Sequence, residues 1–225
     1  MKENKPTAIV YVDGLNLYKR VLEHSPEYKW LDLSKMASLL LPTHQILSVQ
    51  YFTSRITPPV TDPDAVNRQD SYIRALGAQC PNLKIKFGRM ASRDRLFPAV
   101  PIRLDKNGRV MLTKVRFAEE KGSDVALASR MVLDAAQGKA DMYILVSTDA
   151  DFEPLLQMLH SELNVQIGLF SPSQRPSRSL IHSKHQLVKV IRPSVLRDSQ
   201  LPNPVTVSGS LIHRPDKWLK TEPPK

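Results

Sequence analysis

The chain is poor in several residue types, and each shortage closes a class of function. Its 225 residues contain one cysteine, Cys80. That excludes an internal disulfide and any cysteine-rich zinc site, and it fits a reducing, cytoplasmic setting. Only 8 residues are glycine, and no Gly-x-Gly-x-x-Gly or phosphate-cradling glycine loop is present, so nucleotide binding by such a loop is not expected. Long apolar runs are missing too. The longest stretch without Lys, Arg, Asp or Glu is Met36 to Ser54, and it contains Pro42, His44, Gln45 and Gln50. It reads as a helix end, a turn and a strand rather than a membrane span. Lys2 and Lys5 precede a short run that soon reaches Asp13, which is not the pattern of a signal peptide.

Acidic residues are scarce in two segments and abundant in one. The formal net charge is +10. Residues 82–117 hold ten Lys/Arg against two Asp/Glu, a net of +8. Residues 172–225 hold ten against three, a net of +7. Residues 118–171 reverse this with three against nine, a net of −6. Acids hold cations and flanking cations hold phosphates, so the pattern suits an enzyme acting on a polyanion. A solvated basic loop and tail would give the same composition.

Hydrophobic patterning alternates short buried strands with helices. Residues 8–13, 45–53 and 142–147 are β-branched-rich runs of the kind buried on both faces of a parallel sheet. Helical patterns cover 15–23, 31–41, a stretch capped by Asp62 or Asp64 and running to about Ala78, 123–137, 152–162 and 176–184. Further strands are expected at 83–87, 165–170 and 187–191. The order predicts an α/β fold, a parallel sheet with helices on both faces. Residues 89–117 read as a β-hairpin insertion, with strands at 100–104 and 110–117 around the turn Asp105-Lys106-Asn107-Gly108. The domain is expected to span 1–192. Residues 193–225, rich in proline and basic, are expected to be an extended or disordered tail.

Aspartates stand at the ends of these strands. Asp13 closes Ala8-Ile9-Val10-Tyr11-Val12, and Asp149 and Asp151 follow Met142-Tyr143-Ile144-Leu145-Val146. Asp124 opens the helix after Glu119-Glu120-Lys121-Gly122-Ser123. In open α/β sheets, ligands gather outside the carboxyl ends of the strands. Carboxylates meeting there form an oxygen-rich pocket suited to Mg²⁺ or Mn²⁺. The first strand ends in Asp13-Gly14-Leu15-Asn16, which lacks the Asp-x-Asp of a haloacid-dehalogenase-like phosphatase and the Asp-x-Ser-x-Ser of a metal-dependent adhesion site. Asp124 and Asp151 also stand where helix caps are found, and Asp13 where a turn residue is found.

Three segments in order carry a resemblance. They are Tyr11-Val12-Asp13-Gly14-Leu15-Asn16-Leu17, Glu120-Lys121-Gly122-Ser123-Asp124-Val125-Ala126-Leu127-Ala128 and Leu145-Val146-Ser147-Thr148-Asp149-Ala150-Asp151-Phe152-Glu153-Pro154-Leu155. Together they resemble the NYN domain, in particular its LabA-like (DUF88) branch, a relative of the PIN nucleases. Thr148 stands where that family usually has glycine. The resemblance implies a three-layer α/β/α PIN-like sandwich and a divalent-metal-dependent endoribonuclease whose products carry a 5′-phosphate and a 3′-hydroxyl. It implies an acidic site of Asp13, Asp124, Asp149 and Asp151, with Asn16 in support. PIN-like domains often pair, so a homodimer is also in view.

Asp13 and Asp149 directly follow buried strands and are the expected direct ligands of Mg²⁺ or Mn²⁺, with Asp151 and Asp124 completing the site. Lys121 stands beside the acids as a phosphate contact or a surface lysine. Lys84, Lys86, Arg89, Arg93, Arg95, Arg103, Arg109, Lys114 and Arg116 make a candidate RNA track, with DNA not excluded, or a solvated hairpin face. The alternative functions are a non-catalytic nucleic-acid-binding protein and an enzyme for a small phosphorylated substrate.

Overall fold

A computed structural model describes residues 5–58, 61–175, 178–182 and 185–219. Its centre is a seven-stranded sheet in the order β4-β3-β2-β1-β5-β6-β7. The strands are β1 (Thr7–Asp13), β2 (Gln45–Ser54), β3 (Leu83–Pro98), β4 (Leu112–Lys121), β5 (Met142–Val146), β6 (Gln166–Ser171) and β7 (Leu187–Val190). All neighbours run parallel except β3 and β4. The chain winds outward from β1 through β2 and β3, then returns to β5 on the other side of β1. The strand order therefore reverses between β1 and β5, which opens a crevice at their carboxyl ends.

Side-chain alternation explains why β1 and β5 read as unbroken apolar runs. Ala8, Val10 and Val12 face one core and Ile9 and Tyr11 the other; Met142, Ile144 and Val146 divide from Tyr143 and Leu145 in the same way. Successive strand residues point to opposite faces, so a strand covered on both must be apolar throughout. The first core takes α2 (Leu33–Leu40) and α3 (Ala65–Gln79); the second takes α4 (Ser123–Ala136), α5 (Glu153–Ser161) and, through Leu180, α6 (Arg178–His182). Between strands β1 and β2, α1 (Gly14–Leu17) runs straight into a π turn, Tyr18–Leu22. The result is the expected α/β/α layering. Cys80 is buried and donates to Asp32 at 3.2 Å. Burial, then the nearby Asp32, pushes its thiol up to about 12, so it is an inert core group.

The insertion differs from expectation in its arms. The strand that starts at Leu83 does not stop at Phe87 but runs to Pro98, and its partner is β4. The expected strand at 100–104 contributes only an isolated bridge, Leu104 with Val110, around the expected turn at Asp105. β3 pairs with β2 as far as Gly88 and with β4 from Arg89 onward. One strand thus serves both the sheet and a projecting hairpin.

The segment after 192 is folded, which corrects the expectation of an extended or disordered tail. α7 (Pro193–Asp198), β8 (Val205–Val207) and β9 (Ser210–Ile212) lead to a 3₁₀ turn at Asp216–Trp218. Leu196, Leu201, Val205 and Ile212 are buried in the first core, each contributing roughly 2 kcal/mol of apolar burial. Trp218 closes an aromatic trio with Trp30 and Tyr72, at centroid distances of 6.3 and 6.2 Å. The backbone of Leu201 donates to Trp30 at 2.8 Å, and Asp32 donates to Ser199 at 2.7 Å. These anchors are single large residues and main-chain bonds without periodicity, so no pattern in the sequence announces them. Residues 220–225 of that tail lie outside the described residues.

Candidate active site

The crevice at the strand reversal is built by three short connections, after β1, β4 and β5. Asp13 ends β1 and also caps α1, its Oδ1 accepting the Asn16 backbone N–H at 3.0 Å. The turn needs glycine next: a Cβ at Gly14 would lie 2.5 Å from the Tyr51 ring and 2.6 Å from the Phe52 carbonyl of β2. Without a side chain there, α1 can start immediately and hold Asp13 in place.

The β5 loop locks onto this corner. Ser147 Oγ donates to Asp13 Oδ2 at 2.9 Å and accepts the Asp149 N–H at 3.0 Å. Both the N–H and the hydroxyl of Thr148 donate to Asn16 Oδ1 at 3.0 Å. Thr148 thus uses the hydroxyl that the family's usual glycine would lack. Asn16 ties two loops together through its oxygen, and what it can offer a ligand is its amide N–H₂, a donor suited to a phosphate oxygen.

The capping roles fall differently from the alternatives left open by the sequence. Asp149, not Asp151, caps the turn Ala150–Phe152, accepting the Asp151 N–H at 3.0 Å. At the start of α4 the cap is Gly122, with φ +94°, not Asp124; that left-handed backbone favours glycine. Asp124 and Asp151 are both exposed first-turn residues, with carboxylates uncommitted to capping.

Electrostatics bind these acids into one group. Asp13 is 5% exposed. Its carboxyl is raised to about 6, chiefly by burial, against the lowering bonds from Asn16 and Ser147, with Asp124 and Asp149 adding repulsion. Asp124 is raised by burial, then by Glu120, Asp149 and Asp151. Glu120, which the sequence offers beside Glu119 as an extra ligand, joins the cluster: Ser123 donates to it from its N–H at 3.1 Å and its hydroxyl at 2.5 Å. No Lys or Arg ion-pairs with Asp13, Asp124, Asp149 or Asp151 among the described residues.

An all-carboxylate donor set without a countercharge fits a hard divalent cation such as Mg²⁺ or Mn²⁺ by its chemistry. Among the described residues, no three acids already converge on one point at ligating distance. Asp124 and Asp151 are exposed and enter no ion pair among the described residues, and Asp124 Oδ1 accepts from the Ser123 hydroxyl at 3.4 Å. Asp13 and Asp149 are held by the loop bonds.

The basic residues are divided between two faces of the hairpin. Residues directly opposite in an antiparallel pair share a face. Register therefore puts Lys84, Lys86, Lys114 and Arg116 on the face of Glu120, and Arg89, Arg93, Arg95 and Lys121 on the other. Lys121 pairs with Glu119 at 2.7 Å, on the face away from Glu120. Lys114 and Arg116 flank Asp94 at 3.2 and 3.0 Å, and Arg95 lies over the Phe117 ring at 5.0 Å. Arg103 and Arg109 sit near the hairpin tip, where their carbonyls accept from Met111 and Asp105. Two separate strips thus replace the single track that sequence order suggested, because pleating sends neighbours to opposite sides.

Known proteins place the chain in a family and match its fold. A protein of unknown function from Vibrio parahaemolyticus has the same fold, with a TM-score of 0.51 over 86% of this chain and 97% of that one, at 16% identity. A curated relative, 6-hydroxy-3-succinoylpyridine 3-monooxygenase HspA of Pseudomonas putida, is 29% identical over 93% of this chain and 74% of its own length. The family model of the NYN domain matches residues 7–191, from the first residue of β1 to just past β7. That span includes every carboxylate of the crevice, and the chain belongs to the NYN domain family, part of the PIN-like nuclease superfamily.

Proposed function

We propose that this protein is a divalent-metal-dependent endoribonuclease. The observation that carries the reading is the mutual repulsion of Asp13, Asp124, Asp149 and Asp151 beside the strand reversal, with no Lys or Arg ion-paired to them among the described residues. Four acids in one crevice repel one another, and a divalent cation is the natural relief. When bound, Mg²⁺ or Mn²⁺ would acidify a water, screen the phosphate charge and stabilise the leaving oxygen. Asp13 and Asp149 would hold it, and Asp124 and Asp151 would complete the site.

The chain's own residues supply the positioning. Ser147 and the Asn16 N–H fix both oxygens of Asp13. Asn16, fixed in turn by Thr148, offers its amide donor to a phosphate oxygen. Lys84 and Lys86, on the Glu120 face of β3, draw the polyanion toward the crevice without specifying sequence. By analogy with PIN chemistry, water adds to phosphorus, the bond to the 3′-oxygen breaks, and that oxygen takes a proton. The products carry a 5′-phosphate and a 3′-hydroxyl. The setting is read as cytoplasmic and a homodimer as open to test. Among the described residues no helix is long and apolar enough to cross a membrane.

The test is incubation of labelled single-stranded and structured RNA, and of DNA, with Mn²⁺, Mg²⁺ or a chelator, beside the Asp13→Asn, Asp149→Asn double variant. Metal-dependent cleavage lost in the variant supports the reading. RNA held equally by both proteins without cleavage favours the non-catalytic binding module instead.

The relative named as a monooxygenase motivates a second reading, because its likeness extends over 93% of this chain. On that reading the crevice acts on a hydroxylated pyridine. Supplying 6-hydroxy-3-succinoylpyridine with dioxygen and a reduced nicotinamide or flavin tests it. Substrate consumption that survives the Asp13→Asn, Asp149→Asn substitutions would place that chemistry elsewhere in the molecule.

A further inference from the structure

A second cleft opens at the carboxyl ends of β6 and β7, with a volume of about 430 Å³. Arg20, from the π turn after α1, and Arg175, from the loop after β6, line it. Tyr28, Ile191 and Leu196 give it an apolar wall, and Ser173 adds a hydroxyl. Among the described residues, none that lines it is acidic. Neither guanidinium enters an ion pair among the described residues. Leu196 belongs to α7, beyond the family match, whereas Tyr28 and Ile191 lie within it.

Two independent measures place the cleft relative to Asp13. Arg20 follows Asp13 by seven residues of continuous helix, roughly 10 Å at 1.5 Å per residue. β6 lies two strands from β1, again roughly 10 Å at the spacing of neighbouring strands. Lying beyond the carboxyl ends of β6 and β7, the cleft is at the same end of the sheet as the carboxylates, one or two nucleotides away along an extended strand. The π turn is the second pointer. It widens the helix at Tyr18–Leu22, with Glu23 donating to Tyr18 at 2.8 Å, and such bulges recur at functional sites.

We infer that this cleft is a subsite for one nucleotide of single-stranded RNA flanking the scissile bond. A planar base lies against the apolar wall, and its phosphate sits between Arg20 and Arg175. Aromatic and apolar walls take any base by its face, while guanidinium groups take phosphate oxygens. The inference rests on the nuclease reading and adds to it a fixed binding position away from the carboxylates.

The test measures binding of a labelled single-stranded RNA ten-mer to the full chain in chelator, by fluorescence anisotropy across a salt series. Arg20→Ala, Arg175→Ala is compared with wild type and with Arg74→Ala, a change on the exposed face of α3. The double variant is expected to raise Kd roughly tenfold and to reduce the log–log salt slope by about 0.7 for each lost phosphate contact. In Mn²⁺ it raises KM and leaves kcat, with circular dichroism and melting unchanged. Wild type that cleaves RNA while the double variant keeps the same Kd, slope and KM overturns the subsite and leaves the nuclease reading standing. Wild type that neither binds nor cleaves RNA overturns both. An NMR titration with adenosine monophosphate separates the sources of the ligand. Free nucleotide filling the cleft as tightly as the ten-mer, with ten-mer binding indifferent to the arginines, marks a mononucleotide site and overturns the RNA assignment.

Discussion

Asp13 and Asp134 are both buried, at 5% and 1% exposure, and their surroundings are opposite. Asp134 sits near the carboxyl end of α4, some ten residues and roughly 15 Å along the helix from Asp124. Arg130 donates to it at 2.9 and 2.6 Å, Lys139 at 2.8 Å and Tyr11 at 2.9 Å. Burial alone would raise its carboxyl; the bonds from Lys139, Arg130 and Tyr11 outweigh that and hold it below the ordinary range. Asp13 has a serine hydroxyl and one backbone N–H, and its charged neighbours are acids. One acid has its countercharge supplied by the chain, as a structural ion pair requires. The other is left without one at a strand end, the arrangement expected of a group that meets a cation from solution.

The largest expected effect separates the two by activity. Asp13→Asn together with Asp149→Asn should lower metal-dependent RNA cleavage by at least about 100-fold, while the urea midpoint holds or rises, since a repelled charge is gone. Asp134→Ala should do the reverse. It leaves the Tyr11 hydroxyl without its partner and should cost roughly 2–3 kcal/mol in urea unfolding; Arg130 and Lys139, partly exposed, can return to water and keep the cost at that end. Cleavage per folded molecule should be retained. Equal loss of stability in both variants would break the comparison.

Titration sharpens it further, with opposite signs. Asp134 has a lowered carboxyl, so its contribution is present above the ordinary carboxylate range and is lost as pH falls through its folded value. Asp13 is raised to about 6, so its protonated form is favoured in the fold. That contribution is present below the ordinary range and is lost as pH rises through about 6. Unfolding free energies from urea titrations between pH 3 and pH 8 in chelator should therefore show Asp134→Asn flattening the acid limb, and Asp13→Asn flattening the decline toward neutrality by up to about 3 kcal/mol. The same slope change in both would remove the distinction. The smallest effect is metal itself. Mn²⁺ at ten times its Kd should stabilise wild type and Asp134→Ala by about 1.4 kcal/mol and leave Asp13→Asn, Asp149→Asn unmoved, read as melting temperature.

Much of the fold was legible because its strands are buried on both faces. Continuous runs such as Ile9-Val10-Tyr11-Val12 can only be interior, and their ends fixed the places of Asp13 and Asp149. Three features were not legible. The hairpin arms were displaced because β3 changes partner at Gly88 without changing its pattern. The folded segment after 192 depends on Trp218 meeting Trp30 and Tyr72 across the chain. The basic residues were read as one track because sequence order hides the pleat that splits them.

The sequence by itself determined the alternation of strand and helix, the family, and the line of aspartates at strand ends, because these rest on local pattern and on motifs in order. Tertiary structure alone decided which acids share a crevice and which is neutralised. It also decided which aspartate caps and which stays free, and that Arg20 and Arg175, far apart in sequence, meet in one cleft. Charge, unlike hydrophobic periodicity, takes its meaning from neighbours in space, and for Asp13 and Asp134 those neighbours come from other elements of the chain.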